Sequence, residues 1–134
     1  MKKVLFLLFV TVFWLHPARS QNLVGMSSVA IVSYLEKSKG INPDSLQKGT
    51  NSDGKSYISF ENTEKKTIYF LDSAGNCYCY RIIYPYNMLN AILAKLDKQF
   101  TQQGRFQWFV SGNKNFLITL EPNDDFFVTD TTLE

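Results

Sequence analysis

Carboxylates, tyrosines, lysines and two cysteines are the side chains of this chain that could do acid–base or nucleophilic chemistry. The one histidine, His16, lies in the hydrophobic N-terminal segment. Without that segment the chain has no histidine, the commonest general base near neutral pH, so Ser-His-Asp triads and Cys-His dyads are excluded. Catalytic zinc sites built on two or three histidines are excluded as well. An enzyme would have to work with carboxylates, tyrosine or lysine.

Paired carboxylates are the chemistry of glycosidases, in which burial raises the pKa of one acid. The acidic residues of this chain show no pair of distinctive spacing, and nearly all lie at predicted turns or strand ends, where Asp bonds the local backbone. Asn123, Asp124, Asp125 and Asp130 offer oxygen ligands for calcium but lack the spacing and glycine of an EF-hand loop. We therefore predict no metal and no cofactor. The candidate acids are Glu61, Glu64, Asp72, Glu121, Asp124, Asp125 and Asp130.

Cys77 and Cys79 are two residues apart on a predicted strand, which places both side chains on one face. Such neighbours lie about 6.5 Å apart, whereas the Cβ atoms of a disulfide lie within roughly 4.5 Å. A structural zinc would lack two ligands. We expect two small buried side chains. A strained local or intermolecular disulfide is the alternative in an oxidising compartment.

Tyrosines are predicted to form one layer of the sheet, on the face away from the apolar side chains of the same strands. Helices can cover only one face of the predicted sheet, so this layer would meet solvent or a partner. Tyrosine suits a partner because it joins apolar area to a polar tip. The alternative is that these rings lie at sheet edges or under the loop over residues 41–54. The predicted binding residues are Tyr57, Tyr69, Tyr78, Tyr80 and Tyr84.

The N-terminus is typical of a secretory signal peptide. Met1-Lys2-Lys3 precedes a hydrophobic stretch over residues 4–15, and Ala18-Arg19-Ser20 is a small-x-small triplet. The stretch has 12 residues, whereas a spanning helix needs about 20. We therefore predict cleavage between Ser20 and Gln21 and no stable membrane anchor. The initial lysines are typical of bacterial signals, so we expect a secreted or periplasmic protein.

Charge and length limit the possible partners and the number of domains of the remaining segment, residues 21–134. It carries 11 basic and 12 acidic residues, a formal charge of −1. The basic residues are scattered, with no run longer than Lys65-Lys66, so the basic patch of a nucleic-acid-binding protein is missing and nucleic acid is not expected as a partner. The segment fits one domain, which can bury about two-thirds of its unfolded surface.

Capping residues and hydrophobic periodicity predict two helices. Ser27 or Ser28 can cap the first, whose apolar residues recur at helical spacing and which ends at Gly40. A loop over residues 41–54 follows, with one helical turn after Pro43. Asn87 can cap the second helix. The apolar stripe of that helix is Leu89, Ile92, Leu93, Leu96 and Phe100.

Alternating β-rich runs predict the strands. Residues 57–61 and 67–72 form a hairpin across the polar segment 62–65, with Ile58, Phe60, Ile68 and Phe70 on one face. A third strand runs over 77–84 and ends at Pro85. After the second helix, residues 105–110 and 115–121 form another hairpin, and residues 126–129 add a last strand.

Together these elements predict a two-layer α+β domain: an antiparallel sheet of five or six strands with two main helices on one face, in the order α-β-β-β-α-β-β-(β). For function we expect a non-catalytic exported module of the bacterial envelope. It would bind a protein, peptide or envelope polymer through the tyrosine layer or the loop over residues 41–54. The alternative is a histidine-free hydrolase that uses two carboxylates.

Overall fold

The structure, a computed structural model, describes residues 23–134. The predicted signal peptide, residues 1–20, and its cleavage site after Ser20 lie outside the described residues. Within residues 23–134, neither helix has the length and apolar character needed to cross a bilayer.

An eight-stranded antiparallel sheet and two α-helices build the fold, which confirms the α+β class. The helices are α1 (Ser28–Lys39) and α2 (Leu89–Gln99), and short 3-10 turns cover Pro43–Ser45 and Tyr86–Met88. The strands are β1 (Gln47–Thr50), β2 (Ser56–Glu61), β3 (Lys66–Leu71), β4 (Cys77–Pro85), β5 (Thr101–Gly104), β6 (Gln107–Val110), β7 (Phe116–Pro122) and β8 (Phe126–Leu133). Their order across the sheet is β1-β2-β3-β4-β8-β7-β6-β5.

The predicted strand count and helix arrangement were wrong. The edge strands β1 and β5 were not predicted as strands, because short polar edge strands lack the apolar alternation that marks a buried strand. Each helix precedes four strands, so the order is α-β-β-β-β-α-β-β-β-β. The last strand, β8, lies in the middle of the sheet between β4 and β7.

Each helix packs on its own half of the sheet. The first core cluster joins α1 to β2, β3 and β4, and the second joins α2 to β4, β6, β7 and β8. Ile58 and Trp108 are central to the two clusters, with exposed fractions of 2% and 0%. The first cluster comprises Leu23, Ile31, Leu35, Ile58, Tyr69, Leu71 and Cys77. The second comprises Tyr84, Leu96, Trp108, Ile118, Leu120 and Phe127.

The helix termini agree in part with the sequence prediction. Ser27 caps α1 by accepting a hydrogen bond from the Ala30 N–H, and Gly40 ends it with a positive φ of 65°. Both features confirm the prediction. The second helix has no side-chain cap: Asn87 lies inside the 3-10 turn that leads into α2. Its predicted apolar stripe does pack on the second core cluster.

Strand register defines two faces of the sheet. Ile58 lies opposite Tyr69, and Tyr69 lies opposite Tyr80. We call this side, which carries both core clusters, the core face, and the other side the open face. Ile68 pairs with Ser59 and lies on the open face, as does Phe70, so the prediction that they share a face with Ile58 was wrong. The four-residue turn over 62–65 sets this register: its Asn62 side chain accepts hydrogen bonds from two backbone N–H groups.

A β-bulge reverses the alternation of side chains at the start of β4. Phe70 pairs with Cys79 while the next residue, Leu71, pairs with Cys77, so Tyr78 is an extra residue on β4. Cys77 therefore points into the first core cluster, whereas Cys79 lies on the open face. The prediction that both cysteines share one face was wrong because a bulge adds one residue to the two-residue period.

Candidate functional site

Three of the five predicted binding tyrosines lie on the core face, so the expectation that their rings face outward was wrong for them. Tyr69 and Tyr84 are only 6% and 8% exposed, and Tyr80 packs against the first core cluster. The Tyr84 ring stacks on Phe127 with centroids 5.0 Å apart. Burial raises the pKa of all three phenols, and that of Tyr84 reaches about 12. These rings build the core.

The other two tyrosines, Tyr57 and Tyr78, lie on the open face. Tyr78, the bulge residue, is 40% exposed, and its ring centroid is 6.3 Å from that of Phe70. The Lys55 ammonium lies 5.9 Å from the Tyr78 ring centroid. Tyr57 lies opposite Gly49 and covers it: a Cβ at Gly49 would come within 2.7 Å of the Tyr57 hydroxyl. Of the five predicted binding tyrosines, Tyr57 and Tyr78 therefore lie on the open face, together with residues that the sequence analysis did not predict there.

Rows of directly opposite residues cross the open face. The first, the apolar row, consists of Tyr57, Phe70, Cys79, Thr132, Leu117 and Phe109. The next, the central row, consists of Ser59, Ile68, Arg81, Asp130, Thr119 and Gln107. The third row consists of Glu61, Lys66, Ile83, Val128 and Glu121. Apolar side chains therefore lie on both sides of the polar central row.

An ion pair occupies the middle of the central row. The Arg81 Nε and Nη2 atoms donate to the two carboxylate oxygens of Asp130 over 2.8 and 2.9 Å. The two side chains are 40% and 26% exposed. The hydrogen bond to Asp130 raises the pKa of Arg81, which stays charged. The Arg81 guanidinium also lies 5.9 Å from the Phe70 ring centroid, which ties the ion pair to the apolar row.

The cysteines behave as small buried side chains, as expected. Neither forms a disulfide, and both are buried. The Cys77 thiol donates a hydrogen bond to the Cys79 carbonyl oxygen over 3.4 Å. Burial raises the pKa of Cys77 to about 12 and that of Cys79 to about 11. Because the thiolate is the nucleophile and the metal ligand, neither residue is suited to redox or metal chemistry in this state.

Several carboxylates serve the fold. An oxygen of Asp72 accepts two backbone N–H bonds within its turn, as predicted for turn acids, and Asp130 binds Arg81. Asp97 accepts a hydrogen bond from the Trp108 indole over 2.8 Å. Asp53 and Asp72 both line a cavity of about 220 Å³, but the Asp72 oxygen is held by its turn. Residues 23–134 contain no group of three or more His, Cys, Asp or Glu side chains that could hold a metal ion.

A larger cavity, of about 480 Å³, lies between α1 and the first strands of the sheet. The only carboxylate among its lining residues is Glu36. It is therefore not a two-carboxylate site of the kind that the hydrolase alternative requires.

Sequence reasoning missed most of the open-face residues, among them Arg81, Leu117 and Phe126, and named Asp130 only as a candidate acid and calcium ligand. Two errors account for this: the register across the turn over 62–65 and the bulge at Tyr78. No sequence signal places the strand over residues 126–133 beside β4. Comparison of the chain with protein-family models, with curated proteins and with solved structures finds no match.

Proposed function

We propose that this protein is an exported, non-catalytic binding module whose open face binds a partner protein. The observation that carries the proposal is the composition of that face, where apolar side chains flank the Arg81–Asp130 ion pair. Both helices pack on the core face, and within residues 23–134 the open face keeps exposed aromatic and charged side chains. Apolar area around a few polar groups is the composition of a protein–protein interface.

The width of the open face favours a protein over a peptide or a small ligand. The apolar row runs from β2 to β6, which is five strand spacings, or about 24 Å at roughly 4.8 Å each. A single extended peptide covers about one such spacing. The cavities that suit small ligands lie elsewhere, between α1 and the first strands and beside the turn over 72–76. A face of this width fits a protein surface.

Two exposed aromatic side chains lie at opposite ends of the central strand pair. Tyr78 is 40% exposed at the start of β4, and Phe126, which pairs with Pro85 at its end, is 41% exposed. Seven residues of strand separate these ends, or about 23 Å. Aromatic side chains that become fully buried on binding supply much of the affinity of interfaces. We assign Tyr78 and Phe126 this anchoring role.

The ion pair between the anchors gives the face its polar recognition element. Arginine has five N–H donors, and the Asp130 carboxylate takes two of those of Arg81. The remaining donors can bind carbonyl or carboxylate oxygens of a partner. Because the Asp130 carboxylate fixes the guanidinium plane, little side-chain entropy is lost on binding. The pair therefore sets the orientation of the partner as well as adding affinity.

Affinity capture from the envelope of the native host tests the proposal. The purified mature protein is compared with the double variant Tyr78→Ser/Phe126→Ser and with Tyr86→Ser, a control ring that is 47% exposed outside the sheet strands. We expect one protein to be enriched at constant stoichiometry by wild type and the control but not by the double variant, with circular dichroism unchanged. Equal enrichment by all three would contradict the proposal. The same mass spectra test export, since the mature chain should begin at Gln21.

A further inference from the structure

We propose that the sheet edge at β1, together with the groove beneath α1, binds an extended peptide that adds antiparallel to β1 and carries the pattern apolar-x-acidic. This site lies at the β1 edge on the core-face side of the sheet; it shares Tyr57 with the apolar row, but neither Tyr78 nor Phe126 lines it. The tests of this site are therefore independent of those of the proposed function.

The backbone of β1 offers hydrogen-bonding groups at the sheet edge. Antiparallel pairs alternate between hydrogen-bonded and non-hydrogen-bonded positions. The Asn51 N–H donates to the Lys55 carbonyl oxygen, so the next hydrogen-bonded pair is Gly49 with Tyr57. The N–H and C=O groups of Lys48 and Thr50 therefore point away from β2. An edge of this kind is a template for another strand.

An apolar groove lies directly beside this edge. It has a volume of about 480 Å³, with Val29 and Val32 of α1 on one side and Ile58 and Leu71 at the sheet. Val29 is 78% exposed, the largest exposed fraction among the exposed large hydrophobic residues of the described chain. The neighbouring Ser28 N–H donates to the Gly75 carbonyl oxygen, which places Val29 at the end of the groove near the turn after β3.

The charge of Lys48 determines which peptide fits. Its side chain lies on the core face, opposite Ile58, and lines the groove. No ion pair involves Lys48 within residues 23–134. A carboxylate directly opposite Lys48 on an added strand forms a favourable cross-strand pair. Glu36 also lines the groove, and Lys48 is the only cation among its lining residues, so the acidic position of the peptide is the one opposite Lys48.

Register then fixes the pattern of the peptide. On an antiparallel strand, the residue opposite Thr50 precedes the residue opposite Lys48 by two positions, and both side chains point to the core face. The residue opposite Thr50 lies in the same row as Ser56, which lines the groove together with Val29, so it is apolar. The residue opposite Lys48 is acidic. The groove accepts the apolar side chain while the edge of β1 binds the peptide backbone.

Fluorescence anisotropy with the labelled peptide TTLTETT tests this site on the mature protein. We expect saturable binding that is weakened at least tenfold for the peptide TTLTKTT. Lys48→Glu should invert this preference, so that TTLTKTT binds better than TTLTETT, whereas Lys98→Glu on the exposed side of α2 should leave it unchanged. Absence of saturable binding, or a preference that Lys48→Glu does not alter, would overturn the proposal.

A backbone substitution tests strand addition separately. Thr50→Pro removes an N–H that points to the sheet edge, a position where proline is tolerated. We expect it to reduce TTLTETT binding at least tenfold, whereas Thr50→Val, which keeps the N–H, should bind as wild type. Equal binding by both folded variants would overturn strand addition. If Thr50→Pro does not fold, the charge inversion at Lys48 still decides the proposal.

Discussion

Arg81 and Asp130 lie directly opposite each other on β4 and β8, and two hydrogen bonds of 2.8 and 2.9 Å join the guanidinium to the carboxylate. In the sheet, β4 is the last of the first four strands, and its neighbour β8 belongs to the second four. The ion pair thus lies at the junction of the two helix-covered halves, on the face opposite both helices. It can therefore stabilise the pairing of these two strands.

A double-mutant cycle with Arg81→Ala and Asp130→Ala should give a coupling of about 1 kcal/mol in the free energy of unfolding. The value is small because the side chains are 40% and 26% exposed and water screens their attraction. Urea denaturation at low and high salt measures it. Glu61 and Lys66 are the matched control: they are directly opposite on β2 and β3 but form no ion pair. A coupling at Arg81–Asp130 no larger than the control would contradict this account.

Asp97→Ala should destabilise the protein by about 1–3 kcal/mol, because it leaves a buried donor without its partner. The donor is the indole N–H of Trp108, which is fully buried and binds Asp97 over 2.8 Å. Asp97→Asn keeps an acceptor oxygen and should cost less. Chemical denaturation followed by Trp108 fluorescence measures both variants. Equal losses for the two variants would show that the indole hydrogen bond contributes little.

The thiols of Cys77 and Cys79 should not react with a disulfide reagent in the native state at pH 8. Burial raises their pKa values to about 12 and about 11, so almost no thiolate is present at that pH. Both should react after unfolding in urea, in which the pKa values return to their ordinary range. Timed absorbance of the released chromophore distinguishes the states. Rapid reaction of either thiol without denaturant would contradict its burial.

Stability should decrease above about pH 9. The ordinary thiol pKa of 9.0 is raised in the folded state to about 12 for Cys77 and about 11 for Cys79, so between these values the folded chain binds more protons than the unfolded chain. The stabilisation is complete below pH 9 and is lost as the pH rises, by at most about 1.4 kcal/mol per pH unit for each thiol. Tyr84, raised from 10.0 to about 12, adds to the loss above pH 10. Urea denaturation between pH 7 and 10.5 should show a shallower decline for Cys77→Ala/Cys79→Ala than for wild type.

Gly49→Ala should displace the Tyr57 ring from the edge of the sheet. A Cβ at this position would lie 2.7 Å from the Tyr57 hydroxyl, which is closer than real contacts allow. The ring end can move, so we expect a modest destabilisation together with changed chemical shifts for the Tyr57 ring. The double variant Gly49→Ala/Tyr57→Ser should lose no further stability beyond Tyr57→Ser alone. An unchanged Tyr57 environment in Gly49→Ala would contradict the contact.

Local signals predicted both helices and six of the eight strands. The serine cap and glycine end of α1, the apolar stripe of α2 and the turns at Asn62 and Asp72 all depend on side chains within a few residues of one another. Such interactions can be predicted from short stretches of sequence.

Non-local pairing could not be predicted in the same way. The face that Tyr69 occupies depends on the register across one turn, and a change of one residue moves the ring from the open face to the core. The bulge at Tyr78 likewise places Cys77 and Cys79 on opposite faces. The pairing of β4 with β8 places Arg81 opposite Asp130, which lies 49 residues later in the chain. No local sequence signal indicates that these two strands pair. The candidate site consists mainly of such pairings.

Site-specific photocrosslinking in the native host tests the open-face interface most directly. A photoreactive phenylalanine analogue is placed at position 78 or 126 on the open face, with position 86 as the exposed control. We predict adducts of both open-face positions to the same partner protein, loss of those adducts when Arg81→Glu is added, and no such adduct from position 86. Adducts of that protein from position 86 alone, or no protein adduct from either open-face position, would contradict the open face as the binding surface.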